Sequence, residues 1–123
     1  MYLHSELENT DRRIYRMAGV IDGKVFKTER LQRFGYITMT AEENNLLCDK
    51  SVSFPAHEFH YWDSTSCGEN FTAKKADGRE WKCVHGNENL YAGFPHLYFY
   101  AHIGIAERFV LKCAEYGEIY EAD

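Results

Sequence analysis

Most of the nucleophile, base and metal-ligand chemistry open to this chain rests on four cysteines and six histidines. The cysteines are Cys48, Cys67, Cys83 and Cys113. A cysteine nucleophile is best served by a tight, glycine-flanked turn from strand to helix, where the helix dipole favours the thiolate. None of the four has that setting. Cys67 precedes Gly68 but lies in a polar stretch, Cys48 and Cys83 lie in strand-like stretches, and Cys113 lies on the apolar side of a helical pattern. No C-x-x-C pair is present, which excludes a zinc ribbon and a thioredoxin-like motif. The four therefore read as reduced thiols of a cytoplasmic protein.

Among the histidines, His96 follows Gly93-Phe94-Pro95 at a strand end. The proline fixes the local backbone, which suits an imidazole held for general-base work. A packed or surface histidine is the alternative. His57 and His60 point to opposite faces if they share a strand, so a site built from His57, Cys83 and His85 is disfavoured and no metal is assigned. The stretch Lys27-Thr28-Glu29-Arg30-Leu31-Gln32-Arg33 gathers three cations in an acidic chain. The planar arginine fork suits a carboxylate, so an amino-acid or polycarboxylate ligand fits here. A solvated loop with local ion pairs fits equally.

The elements that must position these residues are short. Tyr2, Leu3 and Leu7 have helical spacing, and Asn9-Thr10-Asp11 reads as a turn. Met17 to Ile21 and Lys24 to Thr28 flank Asp22-Gly23, a hairpin-type dipeptide. Phe34 to Thr40 alternates as a strand, and Leu46-Leu47 begins another after Asn44-Asn45. His57 to Trp62 alternates with Phe59 and Tyr61 opposite Glu58 and His60. Ser64 to Asn70 is a polar loop, and Phe71 to Lys75 and Trp81 to Val84 are strands about a turn at Asp77-Gly78. Leu90 to Tyr100 reads as a buried aromatic strand with its loop. From Ile103, a helix presents Ile105, Ala106, Phe109, Val110, Cys113 and Ala114 on one face, with Gly117 as its stop.

The chain has 123 residues, 45% of them hydrophobic and 15% aromatic, which suits one domain over residues 1–123 and excludes disorder. A net charge of −5 argues against a nucleic-acid partner. No apolar run approaches the roughly 20 residues of a membrane span, and the first residues lack the shape of a secretory signal. No membrane partner is expected.

Three segments stand in an order that carries a resemblance: T-E-R-L-Q-R-F-G-Y from Thr28 to Tyr36, H-E-F-H-Y from His57 to Tyr61, and G-F-P-H-L-Y-F from Gly93 to Phe99. With A-E-R-F at Ala106 to Phe109, they resemble the carboxy-terminal part of the cobyrinate a,c-diamide synthase family. These are cobyrinate/cobyrate-type class I glutamine amidotransferases, and the likeness runs from the first residues to about Tyr116. Two positions depart from the family pattern: Ala56 stands for a glycine and Tyr98 for a second histidine.

The resemblance implies an α/β, flavodoxin-like amidotransferase domain, present only in part. Its mixed sheet with flanking helices would look α+β where the later strands pair antiparallel. It implies that the nucleophilic cysteine lies in a C-G-G segment just before Met1-Tyr2-Leu3, making the first residues the helix after that nucleophile. His96 would be the catalytic histidine, Arg30 would hold the carboxylate of glutamine, and Glu58 and His60 would line the substrate side. The whole protein would be an ATP- and Mg²⁺-dependent ligase of cobalamin biosynthesis. It would amidate the a and c carboxylates of cobyrinate or a related tetrapyrrole, with ATP and Mg²⁺ bound outside this chain and no cofactor within it. Alone, this chain would be inactive, and an exposed sheet edge would permit a homo-oligomer. The alternative is a non-catalytic carboxylate-binding or partner-dependent module from a split or decayed gene.

Overall fold

The structure, a computed structural model, describes residues 1–121, with side chains through Glu118. Its frame is one long strand, β3 (Ile21–Ala41), flanked by β1 (His4–Glu8) and β4 (Ser53–Ser64). Strand β2 (Ile14–Arg16) pairs antiparallel with β1, and β1 runs parallel to the start of β3. The far end of β3 pairs antiparallel with β5 (Phe71–Lys74), which pairs in turn with β6 (Glu80–Cys83). Strand β9 (His96–Leu97) adds to the free edge of β4, and β7 (His85–Gly86) and β8 (Tyr91–Ala92) form a separate ribbon. A 3-10 turn at Phe99–Ala101 leads into α1 (Ile103–Glu121). The result is a mixed, mostly antiparallel sheet with one α-helix among the described residues. The expected flanking helices reduce to that one.

Period-two alternation decides which side of the sheet is core. Ile37, Met39 and Ala41 of β3, Phe54 and Ala56 of β4, and Phe71 and Ala73 of β5 are buried on one face. Leu47, Cys48, Cys83, Val84 and Ile105 close over them.

Several expectations are corrected. Tyr2, Leu3 and Leu7 do not form a helix: residues 4–8 are a strand, because the turn from Asn9 to Arg13 folds β2 back on it. Three residues of helical spacing cannot outweigh pairing on both edges. Asp22-Gly23 is not a hairpin turn. It lies within β3, where Ile21 and Lys24 face His4 and Glu6, so β3 carries one extra residue and Gly23 takes φ +143°. That is a bulge, the other common use of glycine in a strand. Leu46-Leu47 is loop, because the buried Asn45 side chain accepts hydrogen bonds from the backbone N–H of Leu47 (2.9 Å) and Cys48 (3.2 Å). Leu90 to Tyr100 breaks into β8 and β9, leaving Tyr98, Phe99 and Tyr100 exposed.

Helix α1 forms as expected, but among its described side chains only those of its first turns reach the core. Ile105 is buried and Arg108 pairs with Asp49 at 2.7 Å, whereas Phe109, Val110, Cys113 and Ala114 are exposed. The helix also continues through Gly117. No helix among the described residues is long and apolar enough to cross a membrane.

All four cysteines are free thiols. Burial pushes the Cys83 thiol up to about 12, with the Glu58 charge adding to it, and burial also raises Cys48 and Cys67. An aromatic disulfide reagent at pH 8 is therefore expected to modify Cys113 within seconds and Cys48 and Cys83 only on unfolding. Rapid labelling of Cys83 in the folded chain would contradict this packing.

Candidate functional site

Strand β4 presents two different faces around the H-E-F-H-Y segment. Glu58 is wholly buried and His60 is 9% exposed, while Phe59 and Tyr61 are exposed on the other side. The expected opposition of His57 and His60 is thus what the pleat produces. His57 faces outward with Phe34 and Tyr36, whose rings meet its imidazole edge-on at 5.8 and 5.2 Å between centroids. Phe34 and Phe59 touch in the same way at 5.7 Å.

His96 joins this outward face through the β4–β9 ladder, where it pairs directly with His57. Their ring centroids are 6.3 Å apart. His96 is exposed, as a base that must meet a substrate needs to be. Its position depends on the preceding residues. Pro95 is buried, and at Gly93 any Cβ would lie 2.7 Å from Val84 Cγ2 and 3.3 Å from Val84 Cα. Gly93→Ala is expected to destabilise by about 1–3 kcal/mol, because Val84 is fully buried and cannot yield freely. Chemical denaturation measures it, and an unchanged midpoint would show that this approach is not tight.

An open cleft of about 1360 Å³ lies beside His96. Lys27, Thr28 and Glu29 form one wall, and His60, Phe94 and His96 form another. The wall from β3 is irregular. Lys27 faces Trp62 and Gln32 faces His60, so residues 28–31 bulge out of the ladder. The Thr28 hydroxyl closes that bulge, sharing its hydrogen between the carbonyls of Arg30 (2.7 Å) and Tyr61 (2.8 Å). Arg30 is exposed just beyond the cleft wall. Neither Lys27 nor Arg30 makes an ion pair among the described residues, so both are available to a carboxylate. Arg33 is not. It takes φ +41° at the second bulge and turns inward, with its guanidinium 5.3 Å from the centre of the Trp81 ring.

Glu58 is buried on the inward side of β4, and His60 beside it reaches the lining of the cleft. His60 Nε2 lies 3.6 Å from a Glu58 carboxylate oxygen, and His60 Nδ1 donates to the Trp62 carbonyl at 2.6 Å. The His60 ring stacks on Phe94 with centroids 4.3 Å apart and planes 16° from parallel. Burial lowers the affinity of His60 for its proton, but the Glu58 carboxylate and the Trp62 carbonyl outweigh it and hold its pKa above the ordinary 6.5. The Phe94 stack was missed by pattern reasoning. Its only signal was the aromatic residue two places before His96.

No three of His, Cys, Asp and Glu converge on a possible metal position among the described residues. In particular His57 lies on the outward face while Cys83 lies in the core.

The site therefore defines, first, a mixed-sheet domain that presents a strand-end histidine beside an open, cation-flanked cleft. The chain's relatives are more specific. No protein-family model matches it. It is 37% identical over 105 residues to the cobyrinate a,c-diamide synthase of Fusobacterium nucleatum, covering 81% of this chain and 22% of that protein. It is 30% identical over 120 residues to the synthase of the same name from Caldanaerobacter subterraneus, covering 95% of this chain and 26% of that protein. For the Listeria monocytogenes synthase (serovar 1/2a) the identity is 34% over 110 residues, covering 85% and 24%. The chain is a homologue of one segment of the cobyrinate a,c-diamide synthases, and it spans about a quarter of the length of the curated relatives it matches.

Proposed function

We propose that this chain is the histidine-bearing part of a glutamine-dependent cobyrinate a,c-diamide synthase of cobalamin biosynthesis, within a flavodoxin-like amidotransferase domain. The observation that carries the reading is similarity over 80–95% of the chain to proteins that bear this one name. In this reading His96 takes the proton of a cysteine thiol supplied by polypeptide outside the chain. The thiolate attacks the side-chain amide carbon of glutamine, and the imidazolium returns the proton to the leaving nitrogen, releasing ammonia and forming a thioester. Water, deprotonated by the same imidazole, then attacks the thioester and frees glutamate and the thiol. Lys27 and Arg30 supply unpaired positive charge for the glutamine carboxylate. Ammonia then passes to the a and c carboxylates of cobyrinate or a related tetrapyrrole.

ATP and Mg²⁺, held by polypeptide outside this chain, would activate those carboxylates. The chain alone is expected to release no ammonia from glutamine, because a base without its nucleophile cannot form the thioester. The test is to translate the DNA upstream of the Met1 codon in frame and assay the longer product. A C-G-G segment a few codons upstream, with glutamine hydrolysis by the longer chain, is the expected result. A stop codon with no such segment would overturn the reading and favour a carboxylate-binding module using Lys27 and Arg30.

A further inference from the structure

Glu58 is the one acidic side chain in the buried polar set, and both its oxygens lack a hydrogen-bond donor among the described residues. A carboxylate without partners in such a place is costly, and its retention calls for a counter-charge. The nearest is His60 on the same strand, at 3.6 Å. Arg33 from β3 also faces this region and opposes the charge on His60, and Cys83 from β6 lies within reach of the Glu58 charge. Cys67, in the loop after β4, is influenced by Arg33. His60 transmits the arrangement outward. Its ring lies flat on Phe94, which is two residues from His96, and all three line the same cleft.

We propose that Glu58 is a positioning residue: it fixes the His60 ring, which clamps Phe94 and so holds the Gly93–His96 segment and the two-residue strand β9 in place. The role deepens the reading of His96 as the base, since without such a clamp a strand of two residues has little to hold it. An imidazolium also stacks more firmly on an aromatic face than the neutral ring does, which links the clamp to the Glu58–His60 charge pair. Glu58 acts through His60 and Phe94, and faces away from His96.

Histidine-selective NMR titration and amide hydrogen exchange on this chain test it. In the parent chain His60 is expected to titrate above 6.5. In Glu58→Gln its midpoint falls by about one unit or more, a tenfold loss of proton affinity. Protection of the β4–β9 ladder should fall about tenfold in that variant while the β3–β4 ladder around Ile37 keeps its protection. Glu58→Asp should restore part of both effects. Phe94→Leu, which leaves the charge pair intact, should keep the His60 midpoint high yet loosen β9 alone, and it decides the matter if Glu58→Gln does not fold. An unchanged His60 midpoint in Glu58→Gln, or β9 protection unmoved in Phe94→Leu, would overturn the proposal. Uniform loss of protection across the sheet would do so too, since it marks a purely structural residue. None of these readouts depends on glutaminase activity, so failure of the amidotransferase reading leaves them standing.

Discussion

His96→Ala, made in a chain that carries the nucleophilic cysteine, is expected to lower kcat for glutamine hydrolysis by roughly 10²–10⁴-fold, the usual range for a general acid-base group. In the present chain the same substitution should change stability by no more than about 0.5 kcal/mol, because His96 is exposed. The contrast is the point of the experiment. The backbone of β9 is held by the His60–Phe94 stack, the buried Pro95 and the ladder with Ala56 and His57, so the His96 imidazole itself carries little of the packing. A rate loss smaller than tenfold would remove His96 from the chemistry. A stability loss of several kcal/mol would show it to be a packing residue instead.

Glu58→Ala should have the largest effect on stability, about 3–5 kcal/mol, since it leaves His60 Nε2 buried without an acceptor and opens a cavity beside it. For a chain of this size that is a large part of the total, so a clear fall in the denaturation midpoint is expected. Replacing both members, Glu58→Met with His60→Leu, should recover most of the loss, because two apolar groups need no mutual solvation. If the double variant is no better than the single one, the cost does not lie in the unpaired imidazole or the cavity. The pH dependence follows from His60. Its folded pKa is raised above its ordinary 6.5, so the stability it contributes is fully present below 6.5 and is lost as pH rises through the raised value. Denaturation midpoints measured from pH 6 upward should therefore fall in the parent chain, and this component should vanish in the double variant.

Much was legible before any coordinates. The alternation of His57 to Trp62 placed Glu58 and His60 on one face and Phe59 and Tyr61 on the other, because a pleated strand offers no third choice. The same held for the strands about Asp77-Gly78 and for the helix from Ile103. The three ordered motifs located the chain among its relatives from a few dozen residues. What failed was every local signal that a distant segment could outbid. Asp22-Gly23 is as good a turn as it is a bulge, and only the presence of β1 beside β3 selects the bulge. The apolar stripe of α1 is genuine, yet among its described residues only Ile105 is buried in the core.

By itself the sequence determined the residue inventory of the site, the faces of its strands and its kinship with the synthases. The tertiary structure alone decided that Arg33 turns inward while Lys27 and Arg30 stay open, that His96 stands opposite His57, and that His60 rests on Phe94. The physical reason is range. Pleat and motif are written in neighbouring residues, whereas a bulge, a ladder partner or a ring stack is chosen by whatever segment the folded chain brings alongside.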